Sequence, residues 1–374
     1  MVNKSILISC IEGDGVGPEL LQAARIVLKS LVESFDLKLD FVNVAAGDRE
    51  LRKTGRALPN ESFKLIQESD VCIKAPVGES AKETIVRIRQ ELDLYANVRP
   101  ARNYPFIPSK FSDVDLVIVR ENTEDLYVGF ERRAQNGRKA TALKVVTSKA
   151  SERIAKFAFE LAMVRKQARE KPRSVVCITK SNVLRITDGL FVKSCERVSR
   201  KYPQVLFQKM YVDTAAMNLI RAPESFDVIV TTNMYGDILS DEASQLVGGL
   251  GVSPSANIGR KFALFEPVHG CAPDIAGKGI ANPLAMILSV EMMLDWLGET
   301  RLCKRCHEAA QTLDKAICSI GASGIKTPDI GGRATTLQVA EAISKEIKLL
   351  ASSSSFSDDR VKMTKLVNPI ASST

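Results

Sequence analysis

The sequence predicts an α/β protein, a parallel or mixed sheet with helices on both faces. Short apolar runs alternate with stretches of 3.6-residue periodicity along almost all of its 374 residues, the pattern of strands followed by covering helices. Apolar residues make up 45 % and charged residues 26 %, the mixture of a globular chain with a sizeable core. The length suits two domains better than one.

Taken in order, the strand-like runs are "ILISCI" (6–11), "LDFVNVA" (39–45), "DVCIKAP" (70–76), "DLVIVREN" (115–122), "SVVCIT" (174–179), "LFQKMYVD" (206–213), "DVIVTTN" (227–233) and "FALFEP" (262–267). Helical periodicity is clearest over 18–35, 151–167, 188–202 and 283–298. Pro18 and Pro283 stand at first-turn positions, where a missing N–H costs nothing, and Asn282 is a candidate cap. From residue 351 the pattern gives way to "ASSSSFSDDR", which predicts a flexible C-terminal tail over 351–374.

Lysine and arginine number 52 against 44 aspartates and glutamates, a net charge of +8. The basic residues are scattered, with one local cluster, "ERRAQNGRK" (131–139), and the 6 % of aromatics do not interleave with them. That distribution favours an anionic small molecule over nucleic acid. No run approaches the roughly 18–20 apolar residues of a membrane span. The opening "MVNKSILISCIEGDG" is expected to be a first core strand rather than a signal peptide, and the protein is expected in the cytoplasm. Of the eight cysteines, two lie in "CKRCH" (303–307), a haem-attachment pattern, within "ETRLCKRCHEAAQTLDKAI", which also reads as one continuous amphipathic helix carrying a cysteine pair.

The glycine cluster "GDGVGP" (13–18) falls between a strand and a helix, where phosphate loops sit. A dinucleotide fingerprint requires a small residue at 18 for close helix packing, and Pro18 does not serve. A tight strand-to-helix turn is the better reading.

The residues that carry chemistry lie later. In "NMYGDILSDEASQLVGG" (233–249), Asp237 and Asp241 are four apart on a helix and share a face, either as a site for Mg²⁺ or Mn²⁺ or as a solvated surface. Asp213 and Lys180 close two further strand-like runs, and residues at strand carboxyl ends converge on one crevice in open α/β sheets. Arg89, Arg99 and Arg120 suit a substrate with two or more carboxylates, although each alone is more often a surface ion pair; Tyr127 is nearby in sequence. A second glycine loop, "FEPVHGCAPDIAGKGIANP" (265–283), offers backbone donors at Gly270 and Cys271. There Asp274 suits the two ribose hydroxyls of NAD and would repel a 2′-phosphate, and Asn282 suits an adenine edge.

Together "GDGVGPE", "DLYANVRPA", "VIVRENTEDLY", "NMYGDILSDEASQLVGGLG", "PSANIG" and the 265–283 segment resemble the metal-dependent β-decarboxylating dehydrogenases, the isocitrate and 3-isopropylmalate dehydrogenase family, over residues 4 to 350. The resemblance implies two α/β/α domains, unlike a Rossmann fold, the first discontinuous: 1–98 with 249–350 for the cofactor, 99–248 for dimerisation, metal and substrate. It implies a homodimer with shared active sites, or a higher oligomer, with 131–139 at the tip of an intersubunit arm. Arg89, Arg99 and Arg120 would hold the malate carboxylates. Asp237 and Asp241, with Asp213 of the partner chain, would ligate Mg²⁺ or Mn²⁺. Lys180, also lent by the partner, would help remove the C2 hydroxyl proton, NAD⁺ would take the hydride, and Tyr127 would protonate the enolate left after CO₂ departs, stabilised by the metal as Lewis acid. His269, Gly270, Asp274, Ile275 and Asn282 would line the adenosine side, and Glu12, Gly78 and Ala81 the nicotinamide end.

The segment before Arg89 bears on which malate is used. Isocitrate enzymes of the family usually show Ser and Asn where this chain has Glu83 and Ile85, and homoisocitrate enzymes can carry an arginine where it has Val86. An Ile85–Val86 wall resembles the 3-isopropylmalate enzymes of leucine biosynthesis. Burying the isopropyl group there is worth roughly 2 kcal/mol, whereas an unpaired buried carboxylate is costly. Homoisocitrate or isocitrate is the alternative substrate, reached through Lys82 or Arg87, and a non-catalytic regulatory subunit is the alternative outside enzymes.

Overall fold

The computed structural model describes residues 5–165, 172–301 and 303–353. Its strands are β1 (Ile6–Ile11), β2 (Leu39–Val44), β3 (Val71–Lys74), β4 (Ala96–Arg102), β5 (Asp115–Glu121), β6 (Glu131–Ala134), β7 (Lys139–Ala142), β8 (Ser174–Thr179), β9 (Leu206–Tyr211), β10 (Val228–Thr231), β11 (Pro254–Ile258) and β12 (Ala263–Pro267). Its helices are α1 (Gly17–Phe35), α2 (Asp48–Thr54), α3 (Asn60–Glu68), α4 (Glu83–Glu91), α5 (Ser148–Val164), α6 (Thr187–Ser199), α7 (Val212–Arg221), α8 (Asn233–Leu246), α9 (Leu284–Thr300), α10 (Lys304–Ala322) and α11 (Thr336–Ser353).

Ten strands form one mixed sheet in the order β2-β1-β3-β12-β11-β4-β5-β10-β8-β9, and β6 and β7 make a separate hairpin. The outer strands pair in parallel, while β11 and β4 enter the middle antiparallel to their neighbours. One face carries an unbroken apolar core that reaches from Leu28 of α1 and Leu313 of α10 to Phe157 of α5 and Phe191 of α6. The opposite face is split. Ile88, Phe63 and Leu264 belong to one core at its N-terminal side, and Ile118, Leu219 and Leu239 to another beneath α7 and α8.

Strand alternation explains the split. In β4, Ala96 and Val98 join the unbroken core, while Asn97 and Arg99 point the other way. The same parity puts Arg120 of β5, Asn257 of β11 and Glu266 of β12 on the split face, where they lie buried between the two smaller cores. The gap in the apolar packing is a polar stripe across the central strands.

Several sequence expectations need correction. The helix expected across 299–317 is interrupted: α9 ends at Thr300, and α10 restarts at Lys304 after extended backbone at Cys303 (φ −92°, ψ 90°). The tail does not begin at 351, because α11 continues to Ser353; the rest of the expected tail lies outside the described residues. Asp213 is in the first turn of α7 rather than at a strand end, and Arg99 lies within β4 rather than near a strand end or on a helix. The division expected at 98/99 falls within β4, and that at 248/249 just precedes a 3-10 turn over Leu250–Val252.

Candidate active site

The glycine cluster after β1 is a turn held by its own aspartate. Asp14 accepts hydrogen bonds from the amides of Asp48 (2.8 Å) and Arg49 (3.2 Å) at the start of α2, and from Gly78 (2.9 Å). A carboxylate facing three N–H donors needs no phosphate beside it. Gly13 and Gly15 take positive φ (71° and 58°), and a Cβ on either would come within 2.0 Å of a backbone oxygen, of Pro76 and of Cys271 respectively. Of the three residues expected near the nicotinamide, Gly78 has its amide on Asp14, Ala81 is buried, and Glu12 is exposed.

The three arginines do converge, on the polar stripe. Arg120 is 1 % exposed and pairs with Asp237 through its Nη1 while its Nε donates to Asn233 (2.8 Å). Arg99 reaches Asp237 (3.1 Å) and Asp241 (3.5 Å) with one nitrogen and Ser240 with the same group at 2.7 Å. Arg89, arriving from the last turn of α4, donates to Asn257 (2.9 Å) and Glu266 (3.2 Å). Burial, reinforced by the like charge of Arg99, lowers the pKa of Arg120 to about 9, and burial also lowers that of Arg89.

Glu266 is a site residue that motif reading did not single out. It is buried, and its carboxylate is shared between Lys74 (2.6 Å) and Arg89. Burial pushes its carboxyl up, but the two cations outweigh that and bring it to about 2. Its parity with Leu264, opposite to Phe265, was the available signal.

Asp237 and Asp241 project from one face of α8, as their spacing predicts. Burial raises Asp237, yet Arg120 and Arg99 prevail and hold it below the ordinary carboxylate range. Burial raises Asp241, which also faces the charge of Asp237. Two oxygen donors of this kind, with side chains 37 % and 55 % exposed, suit a hard cation that keeps waters and substrate oxygens in its shell. The Tyr127 hydroxyl donates to Asp237 at 2.6 Å, and burial raises its pKa.

Lys180 and Asp213 are not part of this cluster. They pair with each other at 2.5 Å, and among the described residues no three acidic, histidine or cysteine side chains of this chain come together as a metal site. Hydrophobic side chains stand exposed around them, with Val183 66 %, Ile186 87 %, Met217 53 % and Ile220 62 % exposed.

The 268–283 segment links β12 to α9 and packs on the first glycine loop, with the Val16 amide donating to the Cys271 carbonyl at 2.8 Å. Gly270 and Asp274 are exposed, Ile275 is half-buried, and nothing lies within 4 Å of where a Cβ on Gly270 would sit. His269 Nδ1 bonds the Gly270 carbonyl (2.9 Å). Asn282 is engaged at both ends of its amide: Nδ2 donates to Asp329 (2.9 Å), and Oδ1 accepts from the Leu284 amide (3.0 Å) at the start of α9. The open glycine backbone beside an exposed carboxylate fits a dinucleotide better than a 2′-phosphorylated one. In "CKRCH", the two sulfurs lie 2.8 Å apart at the start of α10, and the His307 ring bonds Asp295 (2.7 Å) and Glu299 (3.0 Å).

Near Ile85, Arg87 is pinned: its guanidinium donates to Glu91 (2.6 Å), the Leu58 carbonyl (2.9 Å) and Asn60 (3.2 Å), and it stacks over Phe63. Ile85 itself is half-buried against the core that contains Ile88.

Known proteins resemble this chain over most of its length. Residues 7–345 match the family described as isocitrate/isopropylmalate dehydrogenase. The chain is 49 % identical over 330 residues to a 3-isopropylmalate dehydrogenase of Sulfurisphaera tokodaii, covering 88 % of this chain and 95 % of the relative. It is 47 % identical over 350 residues to an isocitrate/homoisocitrate dehydrogenase of Thermus thermophilus, covering 92 % and 99 %. The crystal structure of an isocitrate dehydrogenase from Methylococcus capsulatus superposes with a TM-score of 0.84 at 40 % identity, over 92 % of this chain and 99 % of that one.

Proposed function

Since the chain belongs to the isocitrate/isopropylmalate dehydrogenase family, we propose that it catalyses the NAD-dependent oxidative decarboxylation of 3-isopropylmalate to 4-methyl-2-oxopentanoate and CO₂, a step of leucine biosynthesis. One observation carries the substrate choice. Arg87, one of the two basic residues that could meet a third carboxylate, is held by Glu91, Leu58, Asn60 and Phe63, which favours Ile85 and Val86 as an apolar wall. The name of the Sulfurisphaera relative favours the same substrate, and that of the Thermus relative keeps homoisocitrate or isocitrate as the second reading.

In this reading Arg89, Arg99 and Arg120 grip the two malate carboxylates and orient C2 and C3 between the two smaller cores. NAD⁺ held along the 268–283 segment would supply the hydride acceptor, and Mg²⁺ or Mn²⁺ held by Asp237 and Asp241, with Asp213 of the partner subunit, would supply Lewis-acid stabilisation of developing negative charge. Lys180 receives the C2 hydroxyl proton. Tyr127, its hydroxyl already hydrogen-bonded at the same carboxylate cluster, returns a proton to C3 after CO₂ leaves. His269, Gly270, Asp274, Ile275 and Asn282 line the adenosine side.

The separation of Lys180 and Asp213 from Asp237 and Asp241 within one chain supports a homodimer in which each subunit lends that pair to its partner's site. The exposed apolar side chains of α7 and of the turn after β8 are the matching surface. The division 1–98 with 249–350 against 99–248 is then the line along which the cleft closes. The test is NADH production with Mg²⁺ or Mn²⁺ on 3-isopropylmalate, homoisocitrate, isocitrate and malate side by side, repeated with NADP⁺. A lead for 3-isopropylmalate with NAD⁺ upholds the reading, a lead for a tricarboxylate transfers it to the second, and no turnover with any of them overturns it.

A further inference from the structure

Lys144 is the first covered residue after an exposed hairpin formed by β6 and β7. Its ammonium lies 2.8 Å from Asp188 and 3.5 Å from Asp125, both aspartates being 1 % exposed or less. It also sits over the ring of Tyr235, 4.5 Å from the centroid. Removing such a mostly covered cation leaves two buried carboxylates without their counter-charge.

The neighbours here are backbone amides of three separate segments. Asp188, at the start of α6, accepts the Lys180 amide at 2.6 Å. Asp125 accepts the Leu126 amide at 2.9 Å and the Met234 amide at 3.0 Å. Asp125 adopts φ 70°, a left-handed conformation that a non-glycine residue keeps only when its surroundings enforce it. Its backbone also pairs with Val145, the residue after Lys144. The three segments are those that carry Lys180, Tyr127 and, one turn into α8, Asp237.

We propose that Lys144 is a positioning residue that fixes Lys180, Tyr127 and the start of α8 relative to one another through Asp188 and Asp125. The proposal rests on the reaction assigned above, in which those residues touch substrate. Lys144 itself touches none of it. A misplacement of about 1 Å at a reacting group costs on the order of 100-fold in rate, so a single distant cation can govern turnover.

The test is Lys144→Met in the full chain, with kcat, the KM for NAD⁺ and amide hydrogen exchange read together. The expected result is a kcat lower by about 10- to 100-fold with the KM for NAD⁺ within about 2-fold, since the 268–283 segment is not in the network. Exchange at the Leu126, Lys180 and Met234 amides should quicken together. A folded variant with kcat within about 2-fold of the parent, or with faster exchange confined to residues 143–147, would overturn the proposal. If Lys144→Met does not fold, the charge-matched Lys144→Met/Asp188→Asn variant carries the same expectations. If the parent turns over no 3-substituted malate, the assigned reaction fails, and the exchange pattern alone decides the network.

Discussion

The Val16 amide donates to the Cys271 carbonyl at 2.8 Å, fastening the glycine loop that follows β1 to the glycine loop that follows β12. Two loops far apart in sequence are thereby joined, and in the proposed reading the first loop borders the cofactor side. Gly15 is the narrow point: its φ is 58°, and a Cβ there would lie 2.0 Å from the Cys271 oxygen. Gly15→Ala is expected to destabilise the fold by about 1–3 kcal/mol and to raise the KM for NAD⁺ more than it lowers kcat. Thermal melts and steady-state kinetics on the same preparation check both, and an unchanged KM would detach the loop from the cofactor.

Ile85 and Arg87 are two residues apart on α4 and should behave oppositely. Ile85→Asn is expected to lower kcat/KM for 3-isopropylmalate by about 10- to 100-fold, the range for losing apolar contact with a small alkyl group. Arg87→Ala should leave the ranking of 3-isopropylmalate over isocitrate as it was, because its guanidinium already faces Glu91 and the Leu58 carbonyl. A ranking that shifts with Arg87 would show that this arginine reaches substrate after all.

Asp241 is half exposed and among the described residues is bonded only to Arg99, so its loss should spare the fold. Asp241→Asn is expected to lower kcat by about 100-fold or more and to raise the Mn²⁺ concentration needed for half-activation, since a hard cation loses one anionic oxygen. Chelation of the parent enzyme should abolish turnover, and Mn²⁺ should restore it. Full activity in the presence of excess chelator would remove the metal from the reaction.

Acid stability should depend on Glu266. Its folded value of about 2 lies below the ordinary 4.5, so the stabilisation is fully present above pH 4.5 and is lost as pH falls from there toward 2. Glu266→Gln should flatten that part of the stability profile. It should also lower stability at neutral pH by about 3–5 kcal/mol, because Lys74 and Arg89 lose their buried counter-charge. Denaturant titrations across the acid range read both effects; parallel profiles for parent and variant would exclude Glu266 as the source.

If Lys180 and Asp213 are lent to a partner subunit, as proposed, activity depends on assembly. Ile220 on α7 is 62 % exposed, and Ile220→Glu would bury a charge if that face meets a second copy. Elution at monomer size with loss of turnover is the expected outcome in size-exclusion chromatography and assay. A fully active monomer would place the whole site within one chain.

Much of this architecture is legible in the residues alone, and the exceptions have physical causes. The inner parallel strands β1, β3, β8 and β10 announce themselves because both faces are covered and the runs are mostly apolar, as in "SVVCIT". Asp237 and Asp241 announce themselves by helical spacing. The middle strands do not: β4 reads "ANVRPAR", with Asn97 and Arg99 on its polar side and a proline within it, so it lacks the apolar signature of its neighbours. Asp125 and Asp188 are invisible for a different reason, since they accept from backbone amides that no side-chain motif records, and Lys144 is found only through its pairing with them.

The strand order also sets when the chain can finish folding. β3 pairs on one side with β12, Cys72 opposite Leu264 and Ile73 opposite Phe265, so nearly two hundred residues are synthesised before the first strands acquire their neighbour. Until then β3, buried along its length in the folded protein, has an open edge in the nascent chain. The intervening strands β5, β8, β9 and β10 pair among themselves and with β4, all contributed between those two halves. During translation the middle of the protein can therefore assemble first, and the beginning must wait for the end.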